Sequence, residues 1–235
     1  MRLNEIKKSP INTPQFSAWF GNSKVTNPDG TPKIVYHGTM NGGFSEFKIP
    51  ESFMSFGSAI GGGIYFTDSE RFARSYMKKS DIHPGEGSNK QLYKCYLSIQ
   101  NPLTISDHSH SITKEIFTKI IKNGDKEWFF TNWIPFSLDY HEPYPKCTPE
   151  MIDKYCEITY KQNSFEGDTA ILSEMVRAYK THSLFDNMRK VFRADGIIYT
   201  ENNASVYVVW DAKQIKSIYN NGNFSKETGN INEAR

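Results

Sequence analysis

Cysteine is scarce in this 235-residue chain: Cys95, Cys147 and Cys156 lie far apart, form no CxxC pair and make an odd count. That argues against a disulfide framework or a zinc finger and makes a reducing compartment the default expectation. No stretch approaches the ~18 consecutive apolar residues of a membrane span. The opening MRLNEIKKSPINTPQFSAWF also lacks the apolar run of a secretory signal. An excess of charge is missing too. The 28 Lys+Arg and 26 Asp+Glu leave a formal net charge of +2, too small to announce a nucleic acid or an anionic membrane as partner. Internal repeats and low-complexity tracts are absent. Aromatic side chains are plentiful, at 14% of residues within a 37% hydrophobic composition, which is enough for a substantial core. Against roughly 100–200 residues per domain, the length predicts a single domain over 1–235 that carries a sizeable insertion.

Strand-like runs lie toward both ends: KIVYHG at 33–38, GIYF at 63–66, LYKCYLSI at 92–99, then GIIYT and VYVVW within 196–210. In LYKCYLSI the alternation places Tyr93, Cys95, Leu97 and Ile99 on one face, as in a half-buried strand, with Asn101-Pro102 closing it. Between about 109 and 190 the apolar period changes from two to about 3.6 residues, which predicts a helical insertion. Ile112, Ile116 and Ile120 fall on one helical face, and Asn123-Gly124 follows as a stop. Thr148-Pro149 reads as an N-cap with proline in the first helical position, and Asp168 as the cap of a third helix. The aromatic segment WFFTNWIPFSLDY at 128–140 fits neither period. Residues 1–12 and the tail 225–235 lack apolar periodicity and are expected to be loose surface arms.

Two short motifs carry chemistry. In VYHGT (35–39) a histidine at a strand end is followed by a glycine, which lets a ligand approach the main chain, and by a hydroxyl side chain. In GGGIYFTDSERFARSY (61–76) glycines lead into a strand bearing Tyr65, and the Thr67/Glu70 capping pattern predicts a helix from about 68. Phe72 and Tyr76 share one face of that helix. Tyr65 and Tyr76 could therefore flank a flat aromatic ligand or, equally, pack in the core. The GGG run has neither the Lys-Ser/Thr of a P-loop nor the spacing of a dinucleotide fingerprint. Asp107, His108 and His110 offer metal-compatible atoms at a spacing that completes no metal site, and no Ser-His-Asp or Cys-His arrangement stands out.

In this order, HGT at 37–39, GIYFTD at 63–68 with Tyr76, and the late strand VYVVWDAKQIKS at 206–217 resemble the ADP-ribosyltransferases of the diphtheria-toxin and poly(ADP-ribose) polymerase branch. The lead-in FSAWFGNSKVTNPDGTPKIVYHGT and the closing YVVWDAKQIKSIYNNGNF are similar to the ADP-ribosyltransferase domains of phage and mobile-element polyvalent proteins. The resemblance covers roughly 14–105 and 190–224 and leaves the helical block outside. It implies an α+β fold with a split, mostly antiparallel sheet core and a helical insertion.

It also implies NAD as substrate. Nicotinamide leaves the ribose carbon and a nucleophile of a macromolecular acceptor, protein or nucleic acid, takes its place. In such a site the N–H and C=O of Gly38 hold the carboxamide with help from Thr39, and Tyr65 and Tyr76 stack on the ring. His37 binds the adenosine ribose, and Arg74 or Arg71 meets the pyrophosphate. The chain departs from the pattern at the third motif. The glutamate expected before the last strand's tyrosine is replaced by Val206, which cannot steady an oxocarbenium-like transition state. One such interaction is worth ~3 kcal/mol, about two decades of rate, so transfer of a single ADP-ribose fits better than chain elongation. Glu201 in the preceding turn is the candidate substitute, while Gln214 reads as structural. An NAD glycohydrolase and a weak NAD-binding module are the alternatives. Kinship with mobile elements implies action in a bacterial cytoplasm after phage delivery, as a toxin, anti-defence or takeover factor.

Overall fold

Local chemistry starts most of the helices. The computed structural model describes residues 10–49, 63–78, 87–105, 114–123, 148–163, 193–220 and 222–233. Seven strands run in chain order as β1 (Val35–Thr39), β2 (Ile64–Thr67), β3 (Gln91–Leu97), β4 (Pro102–Ile105), β5 (Gly196–Glu201), β6 (Ala204–Val209) and β7 (Ile215–Ser217). Among the described residues the α-helices are α1 (Pro14–Phe20), α2 (Glu70–Ser75), α3 (Lys114–Asn123) and α4 (Pro149–Asn163). Antiparallel and parallel pairings both occur, so the fold is α+β with mixed pairing. The chain divides into two units, one of Met1–Ile49, Ile64–Asn101 and Val208–Arg235, the other of Pro50–Gly63 and Pro102–Tyr207.

In the first unit the strands lie in the order β2-β1-β3-β7, every recorded pairing antiparallel. The expected face of β3 is buried at Tyr93, Cys95, Leu97 and at Ile99 beyond it. The other face is not simply wet, because Tyr96 is buried under α1. That helix starts where Thr13 Oγ1 accepts from Phe16 N at 3.2 Å, with Pro14 in the first turn, where its missing N–H costs nothing. Its Phe16 ring meets Tyr96 and Phe224 edge-on, at 5.2 and 5.0 Å between ring centres. Trp19 Nε1 donates to the carbonyl of Lys213, which ties α1 to the turn before β7.

The segment after residue 225 corrects an expectation. It is no loose arm: Ile231 is buried, its N–H donates to Ser45 O at 2.7 Å, and its carbonyl accepts from Ser217 N and Asn220 Nδ2. A pattern of apolar residues could not reveal this, because main-chain hydrogen bonds along the edge strand β7 and one buried ion pair hold the segment down.

In the second unit β4 and β5 pair in parallel, Leu103 opposite Ile197. β4 begins at Pro102, the residue expected only to end β3, since proline is tolerated as the first residue of an edge strand. Asn202 and Asn203 both take positive φ, 51° and 60°, which matches a two-residue hairpin turn between β5 and β6. α4 starts as expected: Met151 N donates to Thr148 Oγ1 at 3.3 Å and Pro149 opens the helix. α3 ends at Asn123, also as expected. The two helices are joined by ion pairs Lys114–Glu157, at 3.1 Å, and Lys122–Asp153. Cys156 is buried between charged neighbours, and desolvation pushes its thiol up to about 12, so it stays protonated and unreactive. The helix expected after Asp168, the aromatic segment 128–140, the Asp107–His110 cluster and residues 1–9 lie outside the described residues.

Candidate active site

The site begins with the pleat and ladder of β1. Ile218 N donates to Lys94 O and Ser98 N to Gln214 O, so even-numbered residues along β3 aim their main-chain groups at β7 and odd-numbered ones at β1. Across the pair His37↔Tyr93, the main-chain groups of His37 therefore point at β3, and those of Tyr36 and Gly38 point at β2. Only one pair, Tyr36↔Thr67, is registered between β1 and β2. The next in the ladder would be Gly38 with Tyr65. There the strands part, and His37 Nδ1 donates to Tyr65 O at 2.7 Å. The imidazole thus takes the carbonyl that lies next along β2, and Gly38 turns its N–H and C=O toward that strand.

A carbonyl can only accept, so the proton of neutral His37 is on Nδ1 and Nε2 keeps its lone pair. Burial holds this imidazole below its ordinary value of 6.5, partly offset by the hydrogen bond to Tyr65. Its surroundings are a box of rings. Phe47 stands edge-on at 5.1 Å, Phe66 lies at 5.5 Å and Tyr93 at 6.4 Å. Phe44 closes the far side by stacking on Tyr93 at 4.6 Å, and Tyr93 Oη accepts from the N–H groups of Gly43 and Phe44. Sequence reasoning missed Phe44, Phe47, Phe66 and Tyr93 as partners of His37. The surplus of rings was the available signal, but nothing in the spacing connected 44–47 with 37.

The opposite face of β1 carries α2. A β-carbon on Gly38 would lie 1.9 Å from the carbonyl oxygen of Ala73 and 2.8 Å from its carbon. The glycine was expected to let a ligand approach; its missing side chain instead admits α2, and it is the main-chain edge that faces the opening. The helix starts two residues later than expected. Ser69, not Thr67, caps it by accepting from Phe72 N at 3.2 Å, while Thr67 Oγ1 accepts from Ser69 N. Tyr65 shares the α2 face with Tyr36 and Gly38 by strand alternation and is half-buried. Tyr76 ends α2, half-buried, its ring 5.5 Å from Phe72 as the spacing predicted.

Other expected residues are placed differently. Thr39 lies on the His37 face, and its Oγ1 accepts from Asn41 N at 3.1 Å in a local turn, so it is not brought to the face of Tyr65 and Tyr76. Arg74 donates twice to Glu70 Oε1, at 2.9 and 2.6 Å, and the other oxygen of Glu70 meets Lys94 at 3.3 Å. This cluster turns Arg74 toward β3, away from the opened edge beside β2. In the second unit Glu201 Oε2 accepts from Tyr199 Oη at 3.0 Å, and Val206 is buried. Gln214 is held on all sides: Oε1 accepts from Trp210 N and Asp211 N, and Nε2 donates to Ser98 O. Among the described residues no group of three His, Cys, Asp or Glu side chains could hold a metal ion, and no helix is long and apolar enough to cross a membrane.

Mixed strands around a His-Gly strand end, with a tyrosine-bearing strand and helix beside it, are the framework of an ADP-ribosyltransferase fold. The chain belongs to the family described as ADP-ribosyltransferase in polyvalent proteins, whose pattern matches residues 27–224. No curated protein and no solved structure matches the chain.

Proposed function

We propose that the protein moves one ADP-ribose from NAD to a macromolecular acceptor and releases nicotinamide. The observation that carries this reading is the hydrogen bond from His37 Nδ1 to Tyr65 O, at the place where the main-chain N–H and C=O of Gly38 point toward β2. A carboxamide needs one acceptor and one donor in a plane, and that edge offers both. Tyr65 and Tyr76 supply rigid ring surface for a flat cation at little entropic cost. His37 Nε2, unprotonated, accepts from a ribose hydroxyl. In the transfer the glycosidic C–N bond breaks, nicotinamide leaves with the bonding pair, and the acceptor's nucleophile bonds the ribose carbon as it gives up its proton.

Incubating the full chain with adenine-labelled NAD and a bacterial lysate tests this. Nicotinamide should appear together with label that protease or nuclease frees, and both should vanish in a His37→Ala/Tyr65→Ala variant. Free ADP-ribose as the sole product would instead identify a glycohydrolase. A second reading, a module that binds NAD without turnover, is favoured by the buried Val206 and by Glu201 being bound to Tyr199. NAD binding without nicotinamide release would support it.

A further inference from the structure

Lys216 is fully buried on β7, and its ammonium group donates to Thr228 O at 2.8 Å, Asn230 O at 3.0 Å and Glu233 Oε1 at 2.6 Å. All three of its protons are used. Glu233 spends its second oxygen on Ser225 N at 2.8 Å. A buried ion pair is weak evidence for stability, since apolar residues of equal volume often serve as well; what it can add is choice of register. Sliding the 225–233 segment by one residue would pull two carbonyls and a carboxylate off a buried cation. The register so chosen has a consequence elsewhere. It seats Asn230 opposite Glu46 and brings Ile231 N to Ser45 O at 2.7 Å. The fit is tight, because a β-carbon on Gly229 would come within 2.5 Å of Glu46 Oε1 and 2.8 Å of Ala212 Cβ. Ser45 and Glu46 lie between Phe44 and Phe47, the two rings that close the box around His37.

We propose that the 225–233 segment, locked by Lys216 and Glu233, is a positioning element of the NAD site that holds Phe47 against His37, with Phe44 behind it on Phe47 and Tyr93. The segment lies beyond the family-matched residues 27–224. The proposal rests on the NAD reading above for its kinetic consequence but not for its structural one.

The test uses the full chain labelled with nitrogen-15 at histidine, in native form and as Lys216→Met/Glu233→Leu. The variant keeps the volume of the pair and discards its register information. It should melt close to the native protein, yet the His37 Nδ1–H resonance should shift or double. KM for NAD, read by nicotinamide release, should rise on the order of tenfold with kcat changed far less. A folded variant with an unmoved His37 resonance and an unchanged KM would overturn the proposal and leave the segment a structural strap. Should the double variant not fold, Gly229→Ala crowds Glu46 without touching the ion pair and is read the same way. Should the native chain release no nicotinamide, the NAD reading fails while the His37 resonance still decides the positioning role.

Discussion

The two faces of β1 put adjacent residues to opposite uses. On one, His37 is enclosed by Phe47, Phe66 and Tyr93 and makes one directed hydrogen bond. On the other, Gly38 lies against a helix carbonyl and has no room for a single added carbon. A His-Gly pair reads as one ligand-binding unit in sequence, but in the fold it is two constraints meeting at a strand edge. The histidine side chain takes over a ladder bond, and the glycine keeps α2 close while its main chain stays on the open side. Pleat alternation makes the division unavoidable.

The division can be broken most severely at Gly38. In Gly38→Ala the new carbon meets main chain rather than a pliable side chain, so α2 must lift. Loss on the order of 5 kcal/mol is expected by urea denaturation, in the exceptional range for one substitution. Near-native stability would refute the helix contact. On the other face, Phe47→Ala opens a cavity beside the imidazole. A loss of about 3 kcal/mol is expected, with a raised KM for NAD, whereas the same truncation at the exposed Tyr219 should change neither.

Acid sharpens the comparison at His37. Its folded-state pKa is depressed by burial, so below its ordinary 6.5 the unfolded chain binds a proton that the folded chain does not. Stability should therefore fall as pH drops below 6.5, with a slope from this group of at most about 1.4 kcal/mol per pH unit. His37→Phe should remove that component of a pH series. The smallest effect is expected from Thr39→Val, which deletes the bond to Asn41 N for ~1 kcal/mol, read by urea denaturation.

Where chemistry is local, the amino-acid order was informative. Thr148-Pro149 starts α4 and Asn123 ends α3 as their capping residues predict, and the buried face of β3 follows its alternation. Thr13-Pro14 carries the same signature as Thr148-Pro149 and opens α1. What stayed hidden depends on partners far along the chain. Tyr96 is buried because α1 reaches it, Gly38 is bare because Ala73 lies over it, and the segment near Ile231 is ordered through Ser45 and Lys216. His37, Gly38, Tyr65 and Tyr76 stand in contiguous motifs, so the order of residues alone can mark them as candidates. The partners of Arg74 and Thr39, the Glu70–Lys94 cluster and the turn at Asn41, are settled by packing that the order of residues does not display.

The parallel pairing of β4 with β5 bears on how this chain can vary. Ile105 lies opposite Tyr199, so the chain between Ile105 and Gly196, α3 and α4 included, leaves and returns to one two-strand clamp. The entropy of closing such a loop grows only with the logarithm of its length, and doubling it adds roughly 0.6 kcal/mol. A change in the length of that connection is therefore expected to cost little, whereas a β-carbon at Gly38 would meet the Ala73 carbonyl.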